Sequence, residues 1–173
     1  MEITLHIGDI TTQDVDAVVN AANPMLAPGG GVCGAIFRAA GADVFEDAQA
    51  IRHRRFPSGV PAGEAVVTAG GRMRAKFIVH AVGPVYDPRV DRSDALRSAY
   101  RRAIAEAVHA GARTIAFPAI SAGIYGWPLE DAARQAVAGV RSSAADVDEV
   151  RFVLFSEQTY DAFARALAES TSE

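Results

Sequence analysis

The sequence predicts an α/β protein, a three-layer α/β/α sandwich built on a central mixed, mostly parallel sheet. Three observations predict it. Short apolar runs without polar alternation recur along the chain, the pattern of strands buried on both faces. Stretches with apolar residues at the helical period separate most of these runs, which implies parallel strands joined by crossover helices. The 173 residues fit one domain, 1–173, and half of them are hydrophobic, enough for a full core.

The elements follow in order. Residues 3–7 and 16–20 read as strands, the second holding the apolar run Ala17-Val18-Val19. Residues 32–53 read as helix interrupted at Gly41. Ala65-Val66-Val67-Thr68 and Phe77-Ile78-Val79-His80-Ala81-Val82 are the next strands. In 93–110, Leu96, Tyr100, Ala103, Ile104, Ala107 and Val108 share one helical face. Thr114-Ile115-Ala116-Phe117 is a strand. Residues 129–142 are a helix whose first turn Pro128 suits. Arg151–Phe155 is the last strand, and Ser156 caps a last helix with Tyr160, Phe163, Ala164 and Leu167 on one face.

Composition excludes several classes of function. The net charge is −4, which argues against a protein that grips nucleic acid through bulk electrostatics. The basic groups Arg52/Arg54/Arg55 and Arg72/Arg74/Lys76 read as solvated faces. The single cysteine, Cys33, permits neither an internal disulfide nor a cysteine zinc site. There is no HExxH, no P-loop lysine and no carboxylate cluster, so neither metal nor cofactor is expected. The start, Met1-Glu2-Ile3-Thr4-Leu5, reads directly as strand rather than secretion signal, and no apolar run approaches membrane length. A cytoplasmic monomer is the expectation.

Two loops carry the chemistry. The first, Asn20-Ala21-Ala22-Asn23-Pro24-Met25-Leu26-Ala27-Pro28-Gly29-Gly30-Gly31-Val32-Cys33-Gly34, runs from a strand end into a helix start. Its glycines bare their backbone N–H groups, and the helix start adds unpaired N–H groups and a partial positive charge. Together they form an anion cradle that needs no lysine. Gly29, Gly31 and Gly34 also satisfy G-x-G-x-x-G, but the loop follows the second strand and no acid follows where a ribose would sit, so a dinucleotide reading is weak.

The second loop, Phe117-Pro118-Ala119-Ile120-Ser121-Ala122-Gly123-Ile124-Tyr125-Gly126, also joins a strand to a helix. Its small residues let amides approach the same anion, and Tyr125 is placed to cover a sugar. Ala119-x-Ser121-x-Gly123 comes near a nucleophile elbow. That reading fails because His6, His53, His80 and His109 all precede Ser121. His80, inside an apolar strand, reads as a hydrogen-bonded core histidine.

Gly8-Asp9-Ile10-Thr11, Val18-Val19-Asn20-Ala21-Ala22-Asn23, the stretch GGGVCGAIFRAAG at 29–41, His80-Ala81-Val82-Gly83-Pro84 and the second loop resemble macrodomain motifs in family order. The similarity spans nearly the whole chain and is greatest to MacroD-type and related bacterial branches. It implies binding of ADP-ribose, with removal of ADP-ribose from acidic side chains or deacetylation of O-acetyl-ADP-ribose. The partners it implies are ADP-ribosylated proteins or metabolites, and nucleic acid only as an ADP-ribosylated end. The alternative is a reader module that binds ADP-ribose without turnover.

The resemblance also implies roles. Asp9 accepts the adenine amino group, Ile10 offers its amide to the ring, and Phe155 stacks on adenine. Gly29, Gly30, Gly31 and Val32, with Ser121, Ala122, Gly123, Ile124 and Tyr125, hold the two phosphates. Asn23 binds the distal ribose, while Asn20 braces the loop by pairing with nearby backbone. In MacroD-type enzymes an aspartate stands at the position of Cys33 and a histidine at that of Phe37. An aspartate there orients or deprotonates the attacking water. Cys33 reads instead as a small, weakly polar wall rather than a catalytic thiolate. Catalysis then falls to a water held by Asn23, Gly30 and Gly31 and activated by the substrate's own phosphate.

Overall fold

The computed structural model describes residues 1–172. Six strands form one sheet: β1 (Glu2–Ile7), β2 (Ala17–Ala22), β3 (Ala65–Ala69), β4 (Phe77–Val82), β5 (Thr114–Phe117) and β6 (Glu149–Leu154). Their spatial order is β1-β6-β5-β2-β4-β3. Only β3 runs antiparallel, pairing with β4 from Ala65↔Ala81 to Ala69↔Phe77. The sheet is therefore mixed and mostly parallel, as the apolar runs indicate.

Helices cover both faces. On one, α3 (Ser93–His109), α4 (Leu129–Arg141) and α5 (Glu157–Ser170) close a core around Tyr100, Phe117, Phe152 and Phe163. On the other lie α1 (Gly31–Ala40) and α2 (Ala42–Arg55). The alternation along β2 feeds both layers, Ala17 and Val19 facing the first core and Val18 the α1 core. Gly41, at φ +99°, makes the break between α1 and α2, a backbone state that favours glycine. The 32–53 helix is thus two helices divided where the sequence indicates.

Several element ends differ from expectation by a residue or two, and two of the differences bear on the site. Strand β2 continues to Ala22 because Ala21 and Ala22 still pair with Ala81 and Val82 of β4. The last strand stops at Leu154, which leaves Phe155 outside the sheet. The sequence reading also lacks a 3-10 turn at Ile10–Thr12, capped by the Asp9 carboxylate. Among the described residues, no helix is long and apolar enough to cross a membrane.

The sheet order fixes the site. Strands β2 and β5 are parallel neighbours, yet the chain leaves β2 towards α1 on one face and β5 towards α4 on the other. Their carboxyl ends therefore diverge and open a crevice, the place where open α/β sheets bind ligands.

Candidate functional site

The crevice is a cleft of about 630 Å³ between the two loops. Gly29, Gly30, Gly31, Val32, Cys33 and Asn23 line it on one side, and Ser121, Ala122, Gly123, Ile124 and Tyr125 on the other. Phe155 stands at its end, 72% exposed. Among the described residues no charged side chain lines the cleft. Whatever attracts an anion here must come from the backbone.

The first loop supplies such groups. Helix α1 starts at Gly31, and Gly30 at its N-cap has no side chain to satisfy the first turn. The orphan N–H groups and the positive end of the helix therefore point into the cleft. Of the three consecutive glycines only Gly31 has positive φ, at +59°. Gly30 is extended and serves close approach: a Cβ there would lie 3.3 Å from Ile124 Cδ1 of the opposite loop. Gly34 is needed for a different reason, because its Cβ would stand 2.3 Å from the Gly29 carbonyl oxygen.

The second loop is held open from behind. The buried Tyr100 hydroxyl accepts from Ile120 N at 2.9 Å and donates to Pro118 O at 3.4 Å. Ser121 sits at φ +66°, and its hydroxyl donates to Pro84 O at 2.7 Å. Leu26 in the first loop has φ +51° and is fully buried. Each loop thus contains one non-glycine residue in the left-handed region, a conformation kept only where the surroundings enforce it. The N–H groups of Ser121, Gly123, Ile124 and Tyr125 donate to no acceptor among the described residues.

Both asparagines brace the first loop, but through different partners, and only Asn23 lines the cleft. Asn23 is the residue that braces the backbone: its Oδ1 accepts from Ala27 N at 3.1 Å and its Nδ2 donates to Ala27 O at 2.8 Å. One N–H and one lone pair of its amide remain for a ligand. Asn20 is fully buried and pairs with side chains instead, donating from Nδ2 to Cys33 Sγ at 3.6 Å and lying 3.2 Å from His80 Nδ1. The reason is placement: Asn20 is inside β2, whose backbone groups are already used by β4.

Cys33 lines the cleft but is nearly buried, and its thiol donates to Ala27 O at 3.5 Å. Burial pushes the thiol above its ordinary range, outweighing the hydrogen bonds from Asn20 and from the Gly29 backbone. A neutral, weakly polar wall is what this environment supports. Tyr125 is likewise pushed up, first by burial and then by the neighbouring Cys33. His80 is the core histidine expected, completely buried and stacked on Phe37 at 5.6 Å.

Asp9 and Ile10 do not line the cleft. The Asp9 carboxylate accepts from Thr11 N and Thr11 Oγ1, and Ile10 is buried in the α1 core. Both sit beside the Phe155 end, because Gly8 N donates to Leu154 O at 3.1 Å. The sequence reading omitted Gly83, Leu129, Gln158 and Thr159, which also line the cleft. The last two follow the Ser156 cap of α5, and that cap is the signal that could have located them.

The Macro domain model matches residues 19–136. A macro domain-containing protein of Streptomyces nogalater is 51% identical over 168 residues, covering 97% of this chain and 93% of its own. One from Streptomyces griseus is 51% identical over 167 residues, covering 96% and 94%. The Oceanobacillus iheyensis macrodomain solved with ADP superposes with a TM-score of 0.92 at 35% identity, over 97% of this chain and 90% of that one. The Trypanosoma brucei macrodomain in complex with ADP-ribose gives 0.85 at 34% identity, over 96% and 69%. With the family model covering most of the chain and relatives of this identity spanning nearly all of it, the chain belongs to the macrodomain family.

Proposed function

We propose that the cleft binds ADP-ribose and that the protein hydrolyses ADP-ribosyl esters, from acidic side chains or as O-acetyl-ADP-ribose. The observation that carries the binding is the uncharged cleft lined by unpaired backbone N–H groups from two facing loops. Such a cradle suits a diphosphate, whose charge is met by amides and a helix end rather than by mobile cations. Macrodomains of the same fold have been solved with ADP-ribose and ADP. Phe155 and the neighbouring Asp9–Ile10 segment form the adenine end, and Asn23 the distal ribose end.

The hydrolytic step follows from what the cleft lacks. No carboxylate lines it among the described residues, and the Cys33 thiol is held neutral. The base is therefore the substrate's own phosphate. A water held by the remaining Asn23 donor and the Gly30–Gly31 backbone attacks the anomeric carbon of the distal ribose; a new C–O bond forms there as the bond to the side-chain carboxylate breaks, and the water's proton passes through the phosphate to the leaving carboxylate. With O-acetyl-ADP-ribose the same water attacks the acetyl carbon, acetate is released, and the proton ends on the ribose hydroxyl. Calorimetry with ADP-ribose tests the binding, and single-turnover release from an aspartate- or glutamate-linked substrate tests the chemistry. Cys33→Ala keeps appreciable turnover, while Asn23→Ala loses most of it. Loss of all turnover in Cys33→Ala with binding intact refutes the phosphate as base. The same missing carboxylate favours a second reading, an ADP-ribose reader, which tight binding without any release establishes instead.

A further inference from the structure

Behind the first loop lies a line of hydrogen bonds that binding alone does not require. Thr68 on β3 donates its hydroxyl to Ala69 O at 3.0 Å, so towards His80 Nε2, also at 3.0 Å, it accepts. The His80 proton is thereby fixed on Nε2, and Nδ1 is left to accept from Asn20 Nδ2 at 3.2 Å. The second Asn20 N–H goes to Cys33 Sγ, and the Cys33 proton goes to Ala27 O. That carbonyl is the one Asn23 holds.

The opposite polarity fits worse. Turning the Asn20 amide over would aim its oxygen at His80 and Cys33, but would strand two N–H donors where one unpartnered Oδ1 now stands. The line also crosses the sheet at neighbouring register positions, with Asn20 opposite His80 and His80 opposite Val66, two residues before Thr68. Phe37 stacks on the face of the imidazole, and the ring is fully buried.

We infer that His80 is a positioning residue for the cleft, acting through Asn20 and Cys33 on the Ala27 carbonyl that orients Asn23. His80 touches no part of the cleft. It supplies an acceptor and a donor at opposite edges of one rigid ring, which links β3 to the loop in a single direction. Cys33 gains a function here that an acid could not perform unchanged: it accepts from Asn20 and donates to Ala27 at one atom. The consequence for ligand binding rests on the ADP-ribose reading; the direction of the hydrogen bonds does not.

Two measurements test it. Nitrogen-15 correlation spectra of the wild-type imidazoles show His80 protonated at Nε2 and bare at Nδ1; a proton on Nδ1 overturns the inference. The second measurement compares two variants of similar polarity. His80→Asn keeps an acceptor at the Nδ1 position, whereas His80→Gln reaches only towards Thr68. The relay predicts that His80→Asn binds ADP-ribose nearly as the wild type does and that His80→Gln loses about tenfold. It also predicts that the pH midpoint for alkylation of Cys33 by iodoacetamide rises in His80→Gln and stays in His80→Asn, because only the former loses the Asn20 donor. Equal losses in both variants mean that His80 merely fills space, and refute the relay. If either variant fails to fold, Thr68→Val, which removes the acceptor for Nε2–H, must move the His80 nitrogen resonances and the Cys33 midpoint together; movement of neither refutes it. Absence of ADP-ribose binding by the wild type refutes the proposed function while leaving the tautomer and alkylation readouts decisive for the relay.

Discussion

Lowering the pH below neutrality should weaken the fold through one buried ring. His80 is completely buried among Thr68, Asn20 and Phe37, none of them charged, and burial holds its pKa at about 4 against an ordinary 6.5. Between these values the unfolded chain binds a proton that the folded chain refuses. Stability therefore rises with pH across this window, is fully present above about pH 6.5, and is lost as the pH falls towards 4. A separation of this size corresponds to about 3 kcal/mol, a large share of the stability of a small domain. Urea unfolding of the wild type and of His80→Asn, measured at intervals from pH 7 to pH 4.5, isolates the contribution from that of the carboxylates. The wild-type free energy falls with pH more steeply than the variant's, by up to about 1.4 kcal/mol per unit. Parallel curves refute the reasoning, as does an imidazole of His80 that titrates near 6.5.

Other expectations follow from the loops. Tyr100→Phe leaves the buried Ile120 N–H without its acceptor; chemical denaturation should show a loss of about 1–3 kcal/mol, and calorimetry a weaker ligand. Gly34→Ala drives a methyl against the Gly29 carbonyl and must displace the first loop; ADP-ribose affinity should fall at least about tenfold, with about 1–3 kcal/mol of stability. Phe155→Ala separates binding from folding: the ring is largely exposed, so stability should stay within about 0.5 kcal/mol while affinity falls about tenfold. Unchanged affinity there places the adenine elsewhere.

Much of this fold was legible because burial writes itself into periodicity. The run Phe77–Val82 reads as a two-faced buried strand and is one, and the Gly41 break sits where a residue without Cβ is required. The loops were legible because triple glycine and a helix start serve an anion better than they serve a core. What sequence could not show was which atom each polar side chain chooses. Asn20 and Asn23 are three residues apart with the same chemistry, yet strand pairing consumes the backbone around one and a turn frees the backbone around the other. The roles of Tyr100 and Thr68 were equally hidden, since both lie on elements whose periodicity reads only as packing. Their hydroxyls gain meaning from residues 20 and 12 positions away.

The pairing of β1 with β6 has a consequence for how the site comes into being. The strand at Glu2–Ile7 has no partner until Glu149–Leu154 has been made, so a growing chain completes both loops of the cleft well before β1 can join the sheet. Contacts of such long sequence separation form late and slowly. The Asp9–Ile10 and Phe155 ends meet only at that closing event. During synthesis, then, the polypeptide acquires the two facing loops of the cleft first, and the end of the cleft at Phe155 is the last part of the site to be assembled.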